Sequence, residues 1–207
     1  MDRYRINEVF YSLQGEGVRA GTACVFVRFA GCNLNCKRAD VGFDCDTHHT
    51  TGRWLTKEQL LSEMFEVGGA AGWCVLTGGE PALQVGEELV AALRGAGWSI
   101  AVETNGTIPL PLGIDWVCVS PKGKEELLAV NKVSELKYVL AAGAPLPNPS
   151  LIAEHYVLSP AFEAVPDGSM NYVCRPQPGA LERCIQLVKE NPVWRLSVQQ
   201  HKAWGMR

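Results

Sequence analysis

Three thiols stand close together in the first quarter of the chain: Cys32, Cys36 and, after an eight-residue interval from Lys37 to Asp44, Cys45. They directly follow Cys24-Val25-Phe26-Val27-Arg28-Phe29, an apolar run of the kind that forms a buried strand. Thiolates bunched in this way hold metals. A structural zinc takes four closed ligands, and His48 or His49 would complete a Cys3His set. A four-iron cluster on three cysteines instead leaves one iron without a protein ligand, a place that an exogenous amino acid can fill. Plain packing is the third reading, because free cysteine behaves as a small buried apolar residue. Cys24, Cys74, Cys118, Cys174 and Cys184, each in an apolar or helical context, are read as packing residues.

A second signal is Thr77-Gly78-Gly79-Glu80-Pro81, after the apolar run Trp73-Cys74-Val75-Leu76. Paired glycines bring backbone N–H and C=O groups up to a ligand with no side chain between. The plain alternative is a turn before a helix, with Pro81 in its first turn. Ser12-Leu13-Gln14-Gly15-Glu16-Gly17 places two glycines around a carboxylate, where backbone and Glu16 can lie close to a ligand; taken alone it is an ordinary turn. Arg28 is a cation near the end of an apolar strand and needs a partner, either the carboxylate of a substrate or a nearby Asp or Glu.

These residues must be positioned by an alternating framework. Ile6 to Tyr11 reads as a half-buried strand. Thr56 caps a helix that carries Leu60, Leu61 and Met64 on one face, with Glu58 or Gln59 in its first turn. A second helix is predicted over Gly86 to Arg94 and a third over Ala180 to Lys189. Strands are predicted at Ser99 to Val102, Trp116 to Val119, Glu135 to Leu140, His155 to Leu158, Asn171 to Cys174 and Trp194 to Val198. Strands alternating with helices imply parallel pairing with right-handed crossovers, and the chemistry then belongs at the carboxyl ends of the strands. Helices are fewer than strands. The expected class is therefore α/β, an incomplete β/α TIM-like barrel with some helices lost, since 207 residues fall short of the ~250 of a full barrel. Residues 1–207 are read as a single domain, with 141–149, rich in Pro and Ala, as a surface loop.

Composition removes several functional classes. Formal charge is −3, from 19 basic and 22 acidic residues, and there is no dense Lys/Arg run, so binding to nucleic acid or a membrane surface has no electrostatic support. The N-terminus is charged at once and no run reaches transmembrane length, so a cytoplasmic protein is expected. Eight cysteines in that compartment do not make a disulfide framework.

The cysteine segment resembles the radical S-adenosylmethionine (SAM) enzymes, whose signature is C-x3-C-x2-C after the first barrel strand; the first gap matches, and the second is lengthened here. The Gly-Gly-Glu-Pro turn matches the family motif that meets the amino group of SAM. With Ser12 to Gly17, Phe26 to Leu34, Cys45-Asp46-Thr47, Val102-Glu103-Thr104-Asn105-Gly106-Thr107, Ser120-Pro121-Lys122 and Gln200-His201-Lys202, the chain is similar to the 7-carboxy-7-deazaguanine synthases.

That resemblance implies a radical SAM lyase of queuosine precursor synthesis. Its reaction rearranges 6-carboxy-5,6,7,8-tetrahydropterin to 7-carboxy-7-deazaguanine with loss of ammonia, through a 5′-deoxyadenosyl radical that takes the C6 hydrogen, with SAM regenerated. Cys32, Cys36 and Cys45 would hold a [4Fe-4S] cluster and Thr47 a Mg2+ ion. Asp44, Asp46, Gly79 and Glu80, with Ser120, Pro121 and Lys122 and with Arg175, Pro176 and Gln177, match SAM-contacting positions. Leu13, Gln14, Gly15 and Glu16 would meet the pterin edge, Arg28 its carboxylate, and Thr77 would touch it from the second strand. His201 and Arg207 would fold over the substrate. A homodimer is implied, with an electron donor such as flavodoxin or ferredoxin. Rival readings are another small radical SAM enzyme, such as a glycyl-radical activase, and a zinc-stabilised binding protein without catalysis. Arg28 and the Gln14/Glu16 turn favour a small acidic substrate over a protein one.

Overall fold

The structure, a computed structural model, describes residues 3–206 apart from Asp46, Ala70, Lys124 and 167–171; for 164–166 and 172–173 it describes the backbone only. The chain opens with β1 (Arg3–Leu13), which pairs antiparallel with β2 (Ala23–Phe29) on one side and with β3 (Arg53–Thr56) on the other. From β2 onward every neighbour in the main sheet is parallel: β4 (Trp73–Gly78), β5 (Ser99–Thr104), β6 (Trp116–Val119), β7 (Glu135–Leu140), β8 (His155–Pro160) and β11 (Trp194–Leu196). The nine-stranded order is β11-β8-β7-β6-β5-β4-β2-β1-β3, so the parallel strands lie side by side in chain order.

That order has a consequence for the two faces. Right-handed crossovers between strands laid down in sequence put every connecting helix on the same face. The three long helices are α2 (Lys57–Gly68), α3 (Glu87–Gly95) and α4 (Ala180–Glu190). They bury Leu60 and Met64, Leu89 and Leu93, and Cys184 and Leu187 in one core with Val25, Val27, Leu76, Ile100, Val102, Leu136 and Leu158. Side chains alternate along a strand, so the intervening residues Phe26, Arg28, Thr77, Glu103 and Lys137 reach the opposite face, where they line a cavity.

The local signals largely hold. Thr56 accepts from Gln59 N while the Gln59 side chain accepts from Thr56 N, a complete capping box at the start of α2. Among the described residues no α-helix joins β5 to β6, β6 to β7 or β7 to β8, as expected for crossovers without helices. Residues 141–149 form a loop. Other details differ. β3 was not foreseen, and neither was β9 (Phe162–Pro166); the strand predicted at Asn171 to Cys174 is β10 (Tyr172–Pro176), which pairs antiparallel with β9 outside the main sheet. The last strand stops at Leu196, where Ser197 N turns to the carbonyl of Leu158. Cys174 is exposed rather than packed; Cys24, Cys74, Cys118 and Cys184 are buried as read.

Candidate active site

At the carboxyl ends of the parallel strands lies a cavity of about 350 Å3. One wall is the loop after β2, where Cys32, Cys36 and Cys45 all reach the lining. The long gap between Cys36 and Cys45 folds back on itself. Residues Arg38–Val41 make one helical turn, α1, closed by Gly42 in the left-handed region; Asp44 Oδ1 accepts from Arg38 N at 3.0 Å, and Cys45 N donates to the Cys36 carbonyl at 3.3 Å. The insertion is thus looped out, and Cys45 returns to the side of Cys36.

The Gly-Gly-Glu-Pro turn holds this loop in place. Gly79 N donates to Phe29 O at 3.0 Å and Glu80 N to Gly31 O at 2.9 Å. A Cβ on Gly79 would lie 2.0 Å from the Gly31 carbonyl oxygen, so this approach requires glycine. Glu80 is completely buried, and its carboxylate accepts from Ala82 N at 2.9 Å, Thr104 Oγ1 at 2.7 Å and Asn105 N at 2.7 Å. Burial raises its pKa, against these three donors and Lys122. Asn105 Nδ2 in turn donates to Asn33 Oδ1 at 2.9 Å, which ties the end of β5 to the cysteine loop.

The opposite wall is built from β5, β7 and the segments that follow β1 and β11. Lys137 Nζ donates to Glu16 Oε2 at 2.6 Å and to Glu103 Oε2 at 2.9 Å. Gln199 and Gln14 donate to the other oxygens of the two carboxylates, at 2.7 and 3.1 Å. Burial would raise Glu16, but Lys137, helped by His201 and Gln199, outweighs it and holds the carboxyl at about 2. The same carboxylates keep the ammonium of Lys137 well above the usual lysine range against its burial. Between the walls, Arg28 and Thr77 are opposite one another in the β2–β4 register and both line the cavity. Arg28 Nη1 is 3.2 Å from Glu8 Oε1, so this cation has an internal carboxylate partner while it also faces the cavity.

A 7-carboxy-7-deazaguanine synthase of Bradyrhizobium diazoefficiens is 40% identical over 220 residues, covering 99% of both chains. This chain belongs to the 7-carboxy-7-deazaguanine synthase family. A synthase of the same name from Bacteroides thetaiotaomicron is 38% identical over 98% of each chain. The crystal structure of QueE from Escherichia coli superposes with a TM-score of 0.68 at 26% identity, covering 96% of this chain and 95% of that one. No family model matches.

In this synthase-family chain the cavity brings together Leu13, Gln14, Gly15, Glu16, Arg28, Thr77 and His201, together with Asp44, Thr47, Gly79, Ser120 and Lys122. Gly15 and His201 are pressed together, and Gln200 N donates to Gly15 O at 2.9 Å, so α5 (Gln200–Trp204) is anchored at the rim. Glu80, Arg175, Pro176 and Gln177 lie off the lining; Gln177 N donates to Ala161 O at 2.7 Å, and Arg175 is exposed. Pro121 lines a small neighbouring cavity with Lys122. Asp46 and Arg207 lie outside the described residues. Sequence reasoning passed over Lys137 and Gln199 and quoted Glu103 only as part of a motif. The available signal was a charge at an alternating position of an apolar strand, as in Glu135-Leu136-Lys137.

Burial raises the thiols of Cys32 and Cys36, and neighbouring thiols add to it; Lys122 opposes at Cys36. Among the described residues no three His, Cys, Asp or Glu side chains are gathered around a single point, as one metal ion needs. The three thiols are instead spread along the wall of one cavity, a donor set of soft sulfur that fits a thiolate-bound cluster with an open position. No helix of the described residues is long and apolar enough to cross a membrane.

Proposed function

We propose that this cavity is where the chain converts 6-carboxy-5,6,7,8-tetrahydropterin to 7-carboxy-7-deazaguanine with loss of ammonia. The observation that carries the reading is that one cavity faces three thiols with Arg28 and with a half-buried Glu16 that Lys137 holds ionised. A [4Fe-4S] cluster on those thiolates, with SAM at its open iron, supplies 5′-deoxyadenosyl radical chemistry when bound. The chain's own part is to hold, orient and exclude water.

Cys32, Cys36 and Cys45 are the cluster ligands in this reading. Gly79 gives SAM a backbone approach, with Asp44, Asp46, Ser120 and Lys122 around it, and the hydroxyl of Thr47 is a ligand for Mg2+. Arg28 takes the substrate carboxylate through the paired donors of its guanidinium, drawn from a setting in which Glu8 already orients it. Gln14 and Glu16, with the Leu13-Gln14-Gly15 backbone, offer mixed donors and acceptors to the pterin edge. Thr77 touches the ring from β4, and His201 covers it. Glu80 has a different part in this reading: completely buried and off the lining, its carboxylate is held by Ala82, Thr104 and Asn105, so it braces the strand ends and the cysteine loop. Pro121, Arg175, Pro176 and Gln177 support the rim from outside the lining.

A single domain whose sheet curves as an incomplete barrel fits the chain-ordered parallel strands with helices on one face only. A cytoplasmic homodimer served by flavodoxin or ferredoxin completes the proposal. The test is anaerobic incubation of reconstituted protein with SAM, Mg2+, reductant and the pterin, read by mass spectrometry. Product over many turnovers without matching SAM loss is expected. SAM cleaved with the pterin intact overturns the substrate, and colourless protein holding one tight zinc overturns the cluster.

A further inference from the structure

Lys137 is 6% exposed, on a strand, and stands between two carboxylates from distant parts of the chain. Each of the four carboxylate oxygens of Glu16 and Glu103 already receives one donor: two from Lys137, one from Gln199 and one from Gln14. Ionised carboxylates have about four acceptor sites each, and both side chains line the cavity. Acceptor capacity is therefore left over on that wall.

We propose that Lys137 is the positioning residue that holds Glu16 and Glu103 together as paired acceptors, so that this wall selects a flat heterocycle whose edge presents two N–H donors. The inference rests on the pterin reading and adds the device that reads the edge of the ring. Two carboxylates this close cannot both stay charged without a cation between them; they share a proton instead. A shared proton turns an acceptor into a donor, and a donor facing an N–H leaves both groups unsatisfied. Around this group stand further titratable side chains: Cys118 on β6, Glu135 on β7, His201 on α5, and Arg19 and Cys24 on the side of Glu103. Burial pushes Cys118 up, which keeps it a neutral thiol, and Glu135 is occupied below the cavity by Val18 N at 2.8 Å. Lys137 is thus the cation both glutamates share by direct hydrogen bond.

Lys137→Met keeps much of the stem and removes the charge. Equilibrium binding of 6-carboxytetrahydropterin to the anaerobic holoprotein is expected to weaken on the order of 10- to 100-fold, with SAM affinity and iron content unchanged. KM for the pterin in Lys137→Met is expected to become pH-dependent, improving as the shared proton leaves. Adding Glu103→Gln removes one charge of each sign, and that double variant is expected to regain the native Tm without regaining pterin affinity. Native affinity in Lys137→Met, or affinity recovered along with Tm in the double variant, would overturn the assignment and leave Lys137 a charge balance for the fold. Pterin binding that depends on Lys137 but yields no deazaguanine would instead overturn the proposed reaction and leave this inference standing.

Discussion

The two walls of the cavity are built in opposite ways. The cysteine wall is a loop: Cys32 and Cys36 are partly exposed, with thiols that burial pushes up, and Cys45 is exposed. The Glu16–Glu103–Lys137 wall faces them from β5, β7 and the turn after β1, with its charges paired before any ligand arrives. A loop can follow the dimensions of a cluster, while an edge-reading site gains from groups that need no rearrangement. The contrast separates a wall completed by its ligand from one finished by the fold.

The largest effect should come from the loop wall. Cys45→Ala is expected to abolish iron retention and turnover, while Tm moves by under about 2 °C because an exposed side chain is lost. Iron and sulfide assay beside a thermal melt checks it, and a large loss of stability would mean that the thiol is structural.

The brace between the walls comes next. Glu80→Ala strands two backbone donors and the Thr104 hydroxyl in a buried place, for about 3 kcal/mol or more in chemical denaturation. A cost below about 1 kcal/mol would show that water replaces the carboxylate.

The strand wall should announce itself in acid. With a folded value of about 2 against a reference of 4.5, Glu16 stabilises the fold above about pH 4.5, and the contribution is lost as pH falls toward 2, about 3 kcal/mol in all. Glu16→Gln should flatten stability against pH in that window. An unchanged acid limb would show that the ion pair does not form.

Arg28→Ala should be mildest. Its pair with Glu8 is about one-third exposed, and such pairs contribute under about 1 kcal/mol to stability. KM for the pterin should rise about 10-fold or more with cluster content unchanged; an unchanged KM would make the pair merely structural.

Much of this was legible along the chain. The capping box at Thr56 and Gln59 is a local pattern, and local hydrogen bonds follow from it directly. The alternation of β2, β4, β5 and β7 is equally local, and so the parallel order was available. β3 was missed because its four residues, Arg53–Thr56, carry little apolar pattern and are strands only through pairing with β1. β9 likewise depends on its partner, while β10 was signalled by its own residues. The cysteines, Arg28, Gln14 and Glu16 were visible by residue type.

By itself, then, the sequence determined which residues can do chemistry, which strands carry them and which end of the sheet they must occupy, because side-chain type and period are properties of neighbours in the chain. Tertiary structure alone decided who meets whom. Cys45 returns to Cys36 only because the insertion loops out, and Lys137 finds Glu16 across 121 positions and Glu103 across 34. It also took Glu80 off the ligand wall. Those pairings depend on strand register and loop closure, which join residues that no local pattern links.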